Sequence, residues 1–512
     1  MQSLTAIKNV LFSLANNTMG LLSGLVLSVI IARYLGPKNL GAYHLVLWAV
    51  SIAMLFVNLG ITMSLKKHVA EFQGRNDRRS IAGLINFLLR VRVTVALAVT
   101  SVLIIFSGSI TGYFKLPDAR LYLIWAAIAI VPSALSEIFG ASLQGIQKYH
   151  YSTVITLAVT PLSFVLSLAV LLAGYGIIGL MAVATFISII GFIYNYWAAR
   201  REGLLDWSVR LPRDVRSGIA RFNLGVIAMN FLDAIVWQRS EVFFLGKFRS
   251  VQEVGYYSLA FGFTTTTVSF FASAIINVLI PIHSKAFGAK DPVAMEKIYQ
   301  KSIQYLAMVS LPIAIGGAVL ADRIVLSFYG VEYLPTAAAM SILFLSSAGG
   351  RIGSAFASVM YASNMVHIKI YTAIFWATVN ITLDLLLIPR HGVMGAVIAN
   401  SATQLMGVFT GPFIIYYLFR FVFPIEIFCR VLAGALTMGG AVWLLKGLFP
   451  GTAGLIALVA IGGVIYLAAV ILFRAVSIGD IEILKRGGKR LPGFLQGKYM
   501  TMMDLVSRVA AR

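Results

Sequence analysis

Charged side chains are scarce in this chain. Asp, Glu, Lys and Arg make up 12% of its 512 residues and apolar residues 59%, where a soluble domain carries about 25% charged. So little polar surface cannot cover a chain of this length in water, and much of it must face lipid. Acids are rarest, 19 Asp plus Glu against 41 Lys plus Arg, a formal charge of +22. On a soluble protein that excess would point to nucleic acid. Here the cations sit in short gaps between apolar runs, which points to membrane lipids as partners and away from nucleic acid. Cysteine occurs once, at Cys429 in an apolar stretch. That excludes an internal disulfide, a CxxC pair or a thiolate metal site, and reads as a small buried hydrophobe. Nucleotide and metalloprotease signatures are missing: there is no GxxxxGK[ST] and no HExxH, and the GGRIG at Gly349–Gly353 lies inside an apolar run without a strand–turn–helix context. The expectation is a non-enzymatic protein without cofactor or metal.

Apolar length is what the chain has in abundance. A membrane-spanning helix needs about 20 mostly apolar residues. About fourteen such stretches occur, at 8–34, 40–65, 81–107, 119–144, 152–174, 176–199, 218–245, 253–283, 299–328, 336–362, 369–388, 392–416, 427–446 and 453–474. The first is too long for the apolar region of a cleaved signal peptide and lacks a small-residue cleavage site, so it reads as a membrane helix. With the N-terminus inside, 26 loop and tail cations fall on the inner side and seven on the outer. By the positive-inside rule both termini are cytoplasmic. The basic tail, 475–512, ends in Met500–Val509, either a helix lying on the inner membrane surface or a disordered segment.

The chain also repeats itself. At a spacing of 214 residues Gly41 meets Gly255, Tyr43 meets Tyr257, Leu45 meets Leu259 and Asn16 meets Asn230. At 216, Gly176 and Gly179 meet Gly392 and Gly395. Six spans per unit is an even number, so both copies enter from the same side and relate by an axis along the membrane normal. The expected fold is an all-α integral membrane protein of about 14 transmembrane helices. Two six-helix lobes, 1–199 and 218–416, are joined by a cytoplasmic linker, 200–217, and followed by a helix pair, 427–474, and the basic tail.

Several turns resemble those of oligosaccharide flippases of the multidrug/oligosaccharidyl-lipid/polysaccharide exporter superfamily. They are Ala32-Arg33-Tyr34-Leu35-Gly36-Pro37 with Gly41-Ala42-Tyr43, Gly255-Tyr256-Tyr257, Tyr329-Gly330 with Tyr333, and Asp384 to Pro389 followed by Gly392-Val-Met-Gly395-Ala396. The resemblance covers about residues 5–420 and consists of structural turns, so it specifies fold better than cargo. It implies a flippase that carries polyprenyl-pyrophosphate-linked oligosaccharide across the cytoplasmic membrane for O-antigen, capsule or exopolysaccharide assembly. The implied mechanism is alternating access, with a polysaccharide polymerase and chain-length proteins as partners and a monomeric state. Lipid II flippases and multidrug/cation antiporters of the same superfamily are the alternatives. The first have arginines on the first helices, where this chain has Asn16 and Asn17 in its first span and His44 in its second. A membrane sugar polymerase fits less well, because the longest outer loop, 108–120, is too short for a catalytic pocket.

Ionisable residues inside spans are costly and face a cavity or a partner. Arg239, Arg351, Arg90 and Arg92 are candidates for the pyrophosphate, since a guanidinium fork suits phosphate oxygens. Arg90 and Arg92 point about 200° apart on their helix, so both cannot line one cavity, and one is expected to snorkel to the inner headgroups. Asp233, Glu241, Glu137 and Asp384 are candidates for proton or Na⁺ coupling, each weighed against a structural charge cluster between helices. Sugar contacts would come from polar residues such as Asn16, Asn17, Asn230 and Gln144.

Overall fold

The computed structural model describes residues 2–212, 215–220, 223–224, 226–227, 231 and 240–476; for 2–19, 21, 22, 117, 277 and 366 it describes the backbone alone. The described residues form helices and turns. In order they are α1 (Gln2–Asn58), α2 (Ile61–Gly74), α3 (Arg78–Ile105), α4 (Ser107–Tyr113), α5 (Arg120–Ile128), α6 (Ile130–Gly145), α7 (Tyr149–Leu172) and α8 (Gly176–Arg201), then α9 (Ser240–Phe248), α10 (Val251–Gly288), α11 (Pro292–Ile324), α12 (Thr336–Ile352), α13 (Ser354–Ala362), α14 (Val366–His391), α15 (Val393–Phe419), α16 (Ile425–Leu445) and α17 (Gly451–Leu472). Helices are what an apolar chain must form in lipid, where every backbone donor and acceptor needs an internal partner. Among the described residues twelve segments are long and apolar enough to cross a membrane.

The difference from fourteen has two sources. The first two expected spans form one continuous segment, Ser23–Gly74. Gly36, at φ 70° and ψ 168°, is non-helical and divides α1 into two helices at the expected boundary between the first two spans, and Pro37 opens the second. The expected seventh span, 218–245, lies largely outside the described residues. The second span also reaches further than expected: Lys66 and Lys67 belong to α2, whose Val69 and Phe72 are buried, and not to a loop. Two other spans are interrupted, at Ala129 between α5 and α6 and at Gly353 between α12 and α13. Pro132 accounts for the first break, since it has no N–H to give the carbonyl four residues earlier.

Packing divides the chain into two units, 1–259 with 370–399, and 260–369 with 400–512. In the first, Leu65, Val69, Leu84, Ile85, Leu88, Ile138, Leu143 and Ala198 form one buried cluster, and Ala53, Val57, Ala96, Ala127 and Ala134 form another whose small side chains let helices approach closely. Leu204 and Leu211 of the linker join the first cluster. Asn86 of α3 pins the same linker, its Nδ2 donating to the carbonyls of Asp206 at 2.6 Å and Val209 at 3.1 Å. In the second unit α16 and α17 dock on α11. Lys446 Nζ donates to Asp322 Oδ1 at 2.6 Å, and Tyr466 Oη donates to the carbonyl of Met308 at 2.8 Å. Cys429, on α16, is exposed, so the reading of a buried hydrophobe is corrected. An all-round apolar helix at the rim of a membrane bundle shows lipid the residues that a soluble protein would bury.

The repeat recurs in the backbone. Left-handed residues mark helix boundaries in pairs: Asn76 and Lys290, Lys115 and Gly330, Gln147 and Asn364, Gly176 and Gly392, Gly203 and Arg420. Their spacings are 214, 215, 217, 216 and 217 residues. The capping bonds repeat too. Asp77 N donates to Phe72 O and Asp291 N to Ala286 O, while Lys148 N donates to Leu143 O and Met365 N to Met360 O. These are the six-to-one bonds of left-handed caps. Asp77 and Asp291 then each cap the next helix, accepting at 2.9 Å from the N–H of Ser80 and of Ala294. Between the second pair and the first the spacing grows by one residue, and Val325–Tyr329, just before Gly330, forms a single π-turn. A π-turn takes up one extra residue within a helix.

Candidate functional site

Two buried carboxylates meet in the first unit. Ser240 and Glu241 open α9, and Asn380 and Asp384 are one turn apart on one face of α14. Glu241 is 1% exposed and Asp384 0%. Asn380 Nδ2 donates to Glu241 Oε1 at 3.3 Å, and Ser240 Oγ lies 2.8 Å from both Asn380 Oδ1 and Asp384 Oδ2. Ser240 has one hydroxyl hydrogen to share between the Asn380 oxygen and the Asp384 carboxylate, and the four side chains form one connected polar chain from Asp384 through Ser240 and Asn380 to Glu241. One shared proton would relieve the repulsion and desolvation of two buried acids. Alternatively an alkali cation supplies the positive charge, held by oxygens from the same four side chains, the donor type hard cations take.

The other expected residues fall in different places. Arg92 of α3 is 0% exposed; its Nη1 donates to Thr62 Oγ1 at 3.1 Å and its Nη2 to Glu137 Oε2. Arg90, two residues earlier, is exposed, as helical geometry requires of a neighbour pointing away. In the second unit Arg351 is half-buried near the end of α12 and makes no hydrogen bond or ion pair with any described residue. Its neighbours Gly349 and Gly350 are tight against α15: a Cβ on Gly350 would stand 2.8 Å from Gln404 Oε1. Gln144 Nε2 donates to Ser152 Oγ at 3.1 Å. Asn16 and Asn17 lie on α1 with their backbone alone described, and Asn230, Asp233 and Arg239 lie outside the described residues. Ser240, Asn380, Thr62 and Lys66 were absent from the sequence-based candidates. The four-residue spacings of Asn380 with Asp384 and of Thr62 with Lys66 are the signal that marks them.

Kinked and interrupted apolar helices with repeated caps define a multi-pass membrane protein, and the family matches place it in the multidrug/oligosaccharidyl-lipid/polysaccharide exporter superfamily. Within it the chain belongs to the polysaccharide biosynthesis protein family, whose model matches residues 30–338. A second model, for the lipid II flippase MurJ, matches residues 242–462. Among solved structures, the lipid II flippase MurJ in an inward closed conformation superposes with a TM-score of 0.74 at 17% identity, over 91% of this chain and 98% of that one. An inward-facing multidrug resistance MATE family transporter of the same superfamily superposes with a TM-score of 0.62 at 15% identity, over 80% and 96%. At these identities the likeness is one of fold. A curated relative, stage V sporulation protein B of Bacillus subtilis (strain 168), is 26% identical over 148 residues, a match that spans 28% of this chain and 28% of that relative.

Proposed function

We propose that this protein is a flippase that carries polyprenyl-pyrophosphate-linked oligosaccharide across the cytoplasmic membrane for cell-surface polysaccharide assembly. Uptake or release of one cation at Glu241 and Asp384 drives it. The observation that carries the reading is Arg351, a half-buried guanidinium in a membrane helix with no described acid beside it. Leaving such a charge uncompensated at membrane depth is costly, and an anionic substrate offsets the cost. The two phosphates of a polyprenyl pyrophosphate supply the negative charge, and the guanidinium fork fits their oxygens. Arg239 is assigned to the same anion, and Asp233 to the coupling acids. The lobes 1–199 and 218–416 rock about the substrate, the prenyl tail stays in lipid, and both termini remain cytoplasmic. A monomer suffices, with a polymerase and chain-length proteins taking the product.

The test is export of lipid-linked glycan by Arg351→Ala and Arg351→Lys at matched protein level. The alanine variant is expected to lose export and the lysine variant to keep part of it. Normal export by the alanine variant removes the basis of the assignment.

A second reading, lipid II as the cargo, is favoured by the MurJ family match over residues 242–462. It shares the pyrophosphate and the tail and differs in the sugar. Rescue of a strain depleted of its lipid II flippase would favour it, and rescue of a strain lacking its oligosaccharide flippase would favour the first.

A further inference from the structure

Arg92 and Glu137 form an uneven pair. The Arg92 side chain is 0% exposed and that of Glu137 43%. The guanidinium has given up its hydration while the half-open carboxylate has kept part of its own, so the carboxylate is the partner that can leave at lower cost. The grip is also incomplete. Glu137 takes Nη2 of Arg92 through one oxygen, while Nε, on the same edge of the guanidinium, is buried without a hydrogen-bond partner. That edge is a two-pronged fork suited to two oxygens of one anion, and a buried N–H left unpaired is costly. A second cation acts on the same carboxylate: Lys66, exposed, one turn beyond Thr62 on α2, lies within electrostatic range of Glu137. Three helices thus bring two positive charges and a hydroxyl around one negative charge, and the excess is positive. Lys66 and Glu137 each lie eight residues from the ends of α2 and α6 at Gly74 and Gly145, about 12 Å along the helix axis.

The geometry points to an anion subsite made by Arg92, Lys66 and Thr62, in which Glu137 is a built-in stand-in that a substrate phosphate displaces. The inference rests on the flippase reading and assigns the phosphate to a lipid-linked pyrophosphate. A phosphate group arriving past the open side of Glu137 takes both prongs of Arg92, satisfies the idle Nε, and adds Lys66 as counter-charge. Glu137 is released to solvent or to a proton. The subsite therefore stays electrically closed until substrate arrives, and Glu137 is a competitor rather than a coupling acid.

Binding of farnesyl pyrophosphate and of farnesol to the full-length protein in detergent tests this, with size-exclusion profiles confirming that each variant is folded. Glu137→Gln removes the competing charge at constant shape and is expected to bind farnesyl pyrophosphate about tenfold more tightly, with farnesol unchanged. Arg92→Gln is expected to bind it about tenfold more weakly, and Arg92→Lys more weakly too, because lysine lacks the fork. Unchanged affinity in Glu137→Gln overturns the proposal whatever the Arg92 variants do. If the unaltered protein prefers farnesyl pyrophosphate and Arg351→Ala weakens it while the Glu137 and Arg92 variants do not, this subsite falls and the flippase reading stands. If the unaltered protein shows no preference for farnesyl pyrophosphate over farnesol, both fall together.

Discussion

Gly41 and Gly255 each rest on the backbone one turn before the other, at Val251 and at Pro37. A Cβ on Gly41 would stand 1.8 Å from the carbonyl oxygen of Val251, and one on Gly255 would stand 2.3 Å from that of Pro37. Val251 follows Pro37 by the same 214 residues that separate the glycines. The contact is therefore reciprocal, the self-complementary interface of a two-fold pair realised within one chain. Only glycine lets helix backbone come this near. Alanine at either position should cost about 1–3 kcal/mol, as an overpacked contact does. The double variant should cost less than the sum, because the first alanine already opens the shared interface. Apparent unfolding midpoints in detergent read this out. Two independent, fully additive effects would show that the glycines do not share a contact.

The relay from Asp384 to Glu241 makes a prediction about charge. Asp384→Asn supplies an N–H in place of the acid's O–H, so Ser240 and Asn380 keep their partners and the fold should hold. Export should fall at least about tenfold, since the site can no longer release its proton. Glu241→Gln should do the same. Transport in vesicles with an imposed cation gradient is the measurement, and gradient-driven export persisting in Asp384→Asn would falsify the coupling role.

Acid should loosen the contact between the start of α7 and the end of α8 through Glu202. Burial alone would push this carboxyl up, but the Tyr151 hydroxyl, donating at 2.8 Å, and the Lys148 ammonium, at 3.4 Å, bring it below its ordinary value of 4.5. A carboxyl lowered on folding stabilises the fold at neutral pH, and that contribution is lost as pH falls from the ordinary value through the lower folded one. Glu202→Gln should therefore flatten the midpoint-against-pH curve on the acid side while leaving its shape above pH 4.5 unaltered. An identical acid limb in both proteins would rule the contact out as a source of stability.

The linker offers a protease test. Asn86→Ala leaves the carbonyls of Asp206 and Val209 without their donor, at a cost of about 1–3 kcal/mol. Trypsin should then cut at Arg210 faster than in the unaltered protein, with other sites unaffected. Equal rates would mean that Leu204 and Leu211 hold the segment without help.

Much of the architecture was legible because lipid leaves a chain few choices. Apolar length marks the helices, and the glycine and tyrosine pairs at 41 and 43, 255 and 257 announce the repeat. The errors share a physical cause. Lys66 reads as a loop residue because charge is the usual sign of a span's end, yet α2 carries it onward on an amphipathic last segment. The candidate site was harder. Asp384 and Glu241 stand out as intramembrane acids, but their relay joins Ser240 to Asn380 across 140 residues, and Arg92 finds Glu137 across 45. Local periodicity places each side chain on a face of its own helix and says nothing of which other helix that face will meet.

The π-turn at Val325–Tyr329 bears on how such a duplicated frame can change length. One residue added to a regular helix would rotate everything beyond it by about 100° and turn its inner side outward. Widening a single turn absorbs the addition on the spot. Tyr329 thus keeps an edge-on ring neighbour, Phe263, at 6.0 Å, much as Phe114 keeps Trp48 at 6.1 Å. A loosened turn can therefore take up one added residue in one copy of the repeat and leave the orientation of the helix walls beyond it unchanged.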